Sequence, residues 1–132
     1  MTLRSTFTSN PVKTIIVNQD AATNSSGVGD NNVAGGSAYL ISVKIANASN
    51  GNATYLKFYD SASATAGTDT ARMVLMAPAN GTKTYNFHPP IYFSNAVTVV
   101  ATATSGQAGT TVPNANTNSL PSYTLILSSS AS

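Results

Sequence analysis

Residues 39–47 read YLISVKIAN, and after a short gap residues 54–59 read TYLKFY. One parity of the first segment is wholly apolar and comprises Tyr39, Ile41, Val43 and Ile45. A hydrophobic period of two is typical of a strand with one buried face. Asn50-Gly51 lies between the two segments, and this dipeptide favours a hairpin turn because both residues tolerate positive φ. The segments therefore predict two adjacent strands joined by a hairpin.

The second segment also alternates. Leu56 and Phe58 share one parity and are expected to face the core. Tyr55 and Tyr59 share the other parity and are expected to face outward together. Exposed tyrosine is enriched at protein interfaces, whereas buried tyrosine commonly closes a sandwich core with its hydroxyl at the wet edge. Both interpretations of this pair stay open.

Further strand-like segments lie on both sides of this pair. They are residues 12–18, 71–77, 81–87, 91–94, 96–104 and 123–128. The apolar run at 71–77 predicts a strand covered on both faces, and Pro78-Ala79-Asn80-Gly81 predicts a tight turn after it. We therefore expect an all-β fold: a two-sheet antiparallel sandwich, jelly-roll or Ig-like, with eight or nine short strands.

The expected domain organisation is simple. Residues 1–11 form an N-terminal arm, residues 12–128 a single β-sandwich domain, and residues 129–132 a flexible tail. Two long polar stretches, 19–37 and 105–119, interrupt the strands. Loops of this length are uncommon in compact domains unless they bind something or are disordered.

Charge is scarce: 8% of the 132 residues are charged, against about a quarter in typical soluble domains. The six basic residues are spread singly, which argues against nucleic-acid binding. A surface with so few charges repels its own copies weakly and so favours association. The sequence contains no cysteine and no apolar segment of membrane-spanning length. Residues 1–11 carry no secretion signal, so we expect no membrane partner and a protein made in the cytoplasm.

Groups suited to catalysis are few. His88 is the only histidine and precedes Pro89-Pro90, where a place at the end of a strand is the simplest interpretation. Asp60 and Asp69 bracket a polar loop and could supply oxygen ligands for calcium. Loop capping by these two carboxylates is the favoured interpretation, because no known calcium-loop spacing is present. The sequence predicts no enzyme, no metal site and no cofactor.

The candidate residues are therefore partner-binding ones. Arg4 and Phe7 belong to the N-terminal arm, and Asp30 and Asn31 belong to the first long polar stretch. Tyr55 and Tyr59 complete the set.

Residues 55–105 resemble a family of small β-sandwich virion proteins of tailed bacteriophages. The resemblance rests on five motifs, at residues 55–59 (YLKFY), 67–70 (GTDT), 73–78 (MVLMAP), 81–87 (GTKTYNF) and 93–104 (FSNAVTVVATAT). Ala71 stands where that family is expected to have proline, and Asn95-Ala96 where it has glycine and an apolar residue. The motifs cover about two-fifths of the chain and mark turns and core positions.

The resemblance implies a virion structural protein. The leading expectation is a capsid decoration (cement) subunit, a homotrimer on the capsid surface that stabilises the head by bridging major capsid protein subunits. The second is a tail-fibre or receptor-binding module that recognises host surface glycans through Tyr55, Tyr59 and the long loops.

Overall fold

The computed structural model describes residues 30–48, 50–103, 105–106 and 121–128, together with the backbone of residues 14–20. These residues form strands and no helix. The strands are β1 Thr14–Asp20, β2 Ala38–Asn47, β3 Thr54–Asp60, β4 Met73–Ala77, β5 Gly81–Phe93, β6 Val97–Thr102 and β7 Ser122–Ser128. The all-β prediction is confirmed. The expected arm at 1–11 and tail at 129–132 lie outside the described residues.

The strands form two antiparallel sheets, one in the order β1-β7-β2-β5 and one in the order β4-β3-β6. Each sheet has an apolar face, and the two faces pack together into one core. The four-stranded sheet contributes Ala38, Leu40, Val43, Ile45, Phe93, Tyr123, Leu125 and Leu127 to this core. The three-stranded sheet contributes Leu56, Phe58, Leu75, Ala77, Val97, Val99 and Ala101.

The described residues contain seven strands, fewer than the eight or nine predicted. Two predicted strands, 81–87 and 91–94, are one strand, β5. The register explains this: Leu40 pairs with Ile91 and Ser42 pairs with Asn86, so residues 87–90 bulge out opposite a single residue of β2. Pro89 and Pro90 lie in that bulge at the edge of the sheet, where the lack of an N–H group is tolerated.

A bulge also changes the burial of β2. Ile41 is an extra residue against β7, because Leu40 pairs with Leu127 while Ser42 pairs with Ile126. Leu40 and Val43 are consequently both buried, although they have opposite parity. The predicted apolar face of Tyr39, Ile41, Val43 and Ile45 is correct only after the bulge, since Tyr39 and Ile41 are only partly buried.

The predicted hairpin at Asn50-Gly51 is wrong, because β2 and β3 lie in different sheets. Here the chain turns a corner that buried polar side chains hold together. The Asn47 side chain accepts a 2.8 Å bond from the Thr54 hydroxyl and donates to the carbonyl oxygens of Asn52 (2.9 Å) and Pro78 (2.8 Å). Asn50 is also buried and donates to the Asn47 side chain.

The tight turn at 78–81 is confirmed by a 3.2 Å bond from the Gly81 amide to the Pro78 carbonyl. Asn80 adopts a positive φ of 57° in this turn. A Cβ at Gly81 would lie 2.9 Å from the Pro78 ring, so only glycine fits at that position. The turn leads from β4 in one sheet to β5 in the other. β4 is an edge strand with Met76 exposed, so the prediction of a strand covered on both faces is wrong.

Candidate partner-binding surfaces

The outer face of the four-stranded sheet carries a pair of tyrosines, of which Tyr92 is exposed and Tyr39 is half-buried. Tyr39 in β2 lies opposite Tyr92 in β5, with ring centroids 4.6 Å apart and planes inclined by 30°. Their neighbours Leu40 and Phe93 are fully buried, so strand alternation points the two tyrosines away from the core. Tyr92 is 44% exposed, which is unusual for a side chain of this size. The pair offers a flat aromatic surface to a partner.

Polar uncharged side chains surround this pair. We call the outward side of β2 and β5 the tyrosine face, and it comprises Tyr39, Ser42, Lys44, Thr84, Asn86 and Tyr92. The Ser42 hydroxyl donates a 3.0 Å bond to the Asn86 side chain across the two strands. Lys44 is the only charged residue of the face. A partner that contacts this face therefore desolvates little charge.

The backbone of Tyr92 is also fixed by a contact with Arg72. Its carbonyl oxygen accepts a hydrogen bond from the guanidinium group of Arg72, whose carbon lies 4.7 Å from the centre of the Phe93 ring. Arg72 also lies 3.7 Å from the Asp60 carboxylate. These contacts fix the end of β5, so the tyrosine pair sits on an ordered part of the sheet.

The structure separates the two tyrosines predicted to face outward together. Tyr59 is 2% exposed, whereas Tyr55 is half-buried. Tyr59 does lie on the side away from Leu56 and Phe58, but it packs there with Ala64, Ala66 and Val100. The expected exposure of Tyr59 is therefore wrong, because residues of the following loop cover it. A binding role for Tyr55 stays a prediction.

Two buried polar groups accompany this cover. The Tyr59 hydroxyl has no hydrogen-bond partner among the described residues, and burial, followed by the charge of Asp69, raises its pKa. Lys57 is completely buried on the same side of β3, and its amino group donates a 2.5 Å bond to the carbonyl of Gly106. Burial lowers the pKa of Lys57. The outer side of β3 is thus an additional packed layer and not a surface.

Asp30 and Asn31 lie at the edge of β6. Asp30 exchanges two backbone hydrogen bonds with Val99, of 2.8 and 3.0 Å, and its carboxylate accepts one from the buried Tyr123 hydroxyl. Burial, with this bond and the charge of Asp30, raises the pKa of Tyr123 well above its ordinary value. Asn31 is exposed and its side-chain oxygen accepts a 3.3 Å bond from the Ala64 amide. Both residues hold a loop in place, and their partner-binding role stays a prediction. The candidates Arg4 and Phe7 lie outside the described residues.

The capping interpretation of Asp60 and Asp69 agrees with their contacts. Asp60 accepts bonds from the amides of Asn95 (2.8 Å), Ala96 (3.2 Å) and Ser94 (3.2 Å), and from the Ser94 hydroxyl. Asp69 accepts a 2.8 Å bond from the Thr65 amide. Within the described ranges, no group of three or more acidic or histidine side chains is placed to hold a metal ion. His88 is exposed and lies inside β5, not at its end.

Residues that the sequence reasoning missed are the partners Tyr39 and Tyr92. They are separated by more than fifty residues, and no local pattern shows that their strands are paired. The outward direction of Tyr39 also depends on the bulge at Ile41, because the core-facing residues of β2 are Ala38 and Leu40 before the bulge and Val43 and Ile45 after it.

Fold and surface together define the class: an all-β sandwich whose outer face carries two tyrosines and one charged residue, Lys44. No protein-family model, curated protein or solved structure matches the chain. The described residues contain no helix long and apolar enough to cross a membrane.

Proposed function

We propose that this protein is a virion structural protein of a tailed bacteriophage, a capsid decoration subunit that binds the major capsid protein. It is made in the host cytoplasm, assembles as a homotrimer and stabilises the head by bridging capsid subunits. A protein that binds only the assembled shell stabilises that shell by mass action. The resemblance of residues 55–105 supports the proposal. We also propose that the sandwich has a jelly-roll or Ig-like topology.

The observation that carries the proposal is the tyrosine face. Tyr, Ser and Asn are residue types that bind partners with little loss of side-chain entropy and adaptable hydrogen bonds. An ordered, exposed pair of such tyrosines is a suitable anchor for the centre of an interface. The nearly uncharged surroundings allow close contact with a large, crowded shell without burial of unpaired charge.

No catalytic role is proposed. The carboxylates of Asp30, Asp60 and Asp69 accept hydrogen bonds from groups of the fold itself. General acid–base chemistry needs a titratable group placed to reach a substrate. These contacts favour structural roles for the three aspartates.

The test measures attachment of purified protein to capsids that lack it. Tyr92→Ser should weaken attachment about tenfold or more, because truncation of an interface tyrosine commonly costs over 1 kcal/mol. Met76→Ser is the matched control: Met76 is 40% exposed, close to the 44% of Tyr92, but lies on the other sheet. Wild-type attachment by the Tyr92 variant would show that this face does not bind the capsid.

A second candidate function is a tail-fibre or receptor-binding module for host surface glycans. The stacked rings of Tyr39 and Tyr92 favour it, since an exposed aromatic plane can pack on the apolar side of a sugar ring. Immunogold electron microscopy of virions separates the two functions. Label over the head supports decoration, and label on the tail, with saturable binding on a glycan array, supports the module.

A further inference from the structure

The free edge of β5 is unlike the two edges of the three-stranded sheet, β6 and β4. The edge of β6 is covered by residues 30–33, whose amides bond to the carbonyls of Val97 (2.9 Å) and Val99 (2.8 Å). The edge of β4 is partly closed by the Tyr85 hydroxyl, which donates a 2.7 Å bond to the Met76 carbonyl and accepts one from the Met76 amide. Among the described residues, β5 has a strand neighbour on one side only, which is β2.

An open strand edge of this kind can pair with another extended segment of polypeptide. Every second residue of an edge strand points its N–H and C=O groups away from the sheet, where they template a further strand. β5 is 13 residues long, and its part before the bulge, residues 81–86, is regularly paired with β2. Lys83 is the only charged residue in β5. The edge therefore has little of the charge that usually keeps other strands away.

Apolar side chains are also incompletely covered along this edge. Tyr85 and Phe87 point to the core side of β5, yet both remain partly exposed. Lys83 lies on the same side with its amino group 5.7 Å from the centre of the Tyr85 ring. A strand added to this edge would cover Tyr85 and Phe87 if it carried apolar residues on that side.

The thirteen residues before β1 contain a segment with that pattern. Residues 1–9 read MTLRSTFTS, in which Leu3 and Phe7 share one parity, and Thr2, Arg4, Thr6 and Thr8 share the other. Threonine and phenylalanine favour strands, and the period of two suits a strand with one apolar side. Pro11 follows this segment and separates it from β1. Nine residues are sufficient to match the open part of β5.

The direction of β1 indicates that residues 1–9 reach the β5 edge of another copy more easily than that of their own chain. Thr14 pairs with Ser128, which pairs with Tyr39, which pairs with Tyr92, so β1 begins level with the bulged end of β5. The chain before Thr14 therefore leaves the sheet at the end away from residues 81–87. The edge of β5 in the same copy also lies three strand spacings, about 14 Å, across the sheet. To reach that edge the segment would have to reverse and cross the sheet.

We propose that residues 3–9 of one copy add as an antiparallel strand to residues 81–87 of a neighbouring copy, with Leu3 opposite Phe87 and Phe7 opposite Lys83, on either side of Tyr85. Leu3 and Phe7 cover Tyr85 and Phe87, and the backbone groups of the open edge gain partners. Antiparallel pairing is chosen because it is the more stable arrangement per residue. Such a contact joins the N-terminal segment of one copy to the β5 edge of the next. Repeated contacts of this kind close into a ring of copies when the rotation between neighbours allows it. The homotrimer proposed above is such a ring, but strand exchange does not depend on a capsid.

The experiment uses the purified full chain without capsids. Native mass spectrometry gives the assembly size, and hydrogen exchange gives the protection of residues 81–87. Deletion of residues 1–9 should reduce the assembly to the 13.5 kDa scale of a single chain, and about half of the amides at 81–87 should lose protection. Circular dichroism and thermal unfolding should show an intact sandwich, since the deleted residues precede β1.

Matched variants test the parity. Leu3→Ser with Phe7→Ser should reproduce the effect of the deletion, whereas Thr2→Ser with Thr6→Ser should leave assembly size and protection unchanged. A synthetic peptide of residues 1–11 should restore protection at 81–87 when added to the deleted chain. Three outcomes would each overturn the proposal: a wild-type chain that is a single copy, a deleted chain that remains assembled, or unchanged exchange at 81–87. If the protein assembles by strand exchange but does not attach to capsids, the proposed decoration function is wrong and the strand exchange still stands.

Discussion

The outer faces of the two sheets have similar sequences and opposite environments. On β3 the residues that alternate with Leu56 and Phe58 include Lys57 and Tyr59, and both are buried under loop residues. On β2 and β5 the corresponding outward residues include Lys44 and Tyr92, and both are exposed. A lysine and a tyrosine thus occur on each face. The difference shows that alternation within a strand defines two sides but does not say which side meets water.

The largest expected effect compares the two tyrosines. Tyr59→Ala should lower the free energy of unfolding by about 3–5 kcal/mol, the cost of removing a buried aromatic side chain. Tyr92→Ala should lower it by less than about 1 kcal/mol, because the side chain lies outside the core and is 44% exposed. Urea denaturation followed by circular dichroism measures both values.

The conservative variant Tyr59→Phe is the control for this comparison. It keeps the ring and removes only the hydroxyl, which bonds to no group in the part of the chain that the structure describes, so its stability should stay close to that of the wild type. Equal losses for the alanine variants of Tyr59 and Tyr92 would contradict the distinction between a covered face and an open one.

The same contrast marks the limit of what the sequence could predict. The positions of the strands and the inward direction of Leu56 and Phe58 follow from a local period of two, and both were predicted. The cover over Tyr59 comes from residues 64–66, whose small side chains give no periodic signal. The corner at Asn50 has the sequence of a hairpin, but the buried Asn47 side chain ties it to the turn at Pro78 in a contact between distant segments.

The candidate site was less predictable than the fold for a related reason. The pairing of Tyr39 with Tyr92 depends on the register between distant strands and on bulges in both. A bulge reverses the parity of every residue beyond it, so a pattern read without it assigns Tyr39 to the core. The double proline at 89–90 is a local signal of irregularity, but it does not reveal how many residues bulge.

A second, smaller effect concerns the junction between the two faces, where Asp60 at the end of β3 caps the turn before β6. Burial raises the pKa of Asp60, but the bonds from Asn95, Ala96 and Ser94 outweigh it, so the pKa lies below its ordinary value. A carboxyl with a lowered pKa contributes stability above its unfolded-state pKa, and this contribution is lost as the pH falls through the folded-state value. Asp60→Asn should therefore cost about 1.5–3 kcal/mol at pH 7.

The measurement is the free energy of unfolding from pH 7 down to pH 2. The cost of Asp60→Asn should shrink as the solution is acidified, because the wild-type carboxylate then becomes protonated as well. Asp69→Asn is the matched control, since Asp69 is exposed and accepts a bond from the Thr65 amide alone among the described contacts of its carboxylate. A cost for Asp60→Asn that does not change with pH would contradict a charge-dependent cap.

The smallest expected effect concerns the open face itself, where Tyr39 and Tyr92 stack in water. Aromatic pairs add about 0.5–1.5 kcal/mol beyond the area that they bury, and exposure places this pair at the low end. A double-mutant cycle of Tyr39→Ala and Tyr92→Ala isolates that coupling from the loss of each side chain. A coupling near 0.5 kcal/mol would mean that the rings are held together before any partner arrives, so that binding orders little. A coupling of zero would mean that the rings move independently, and a partner on this face would have to order both.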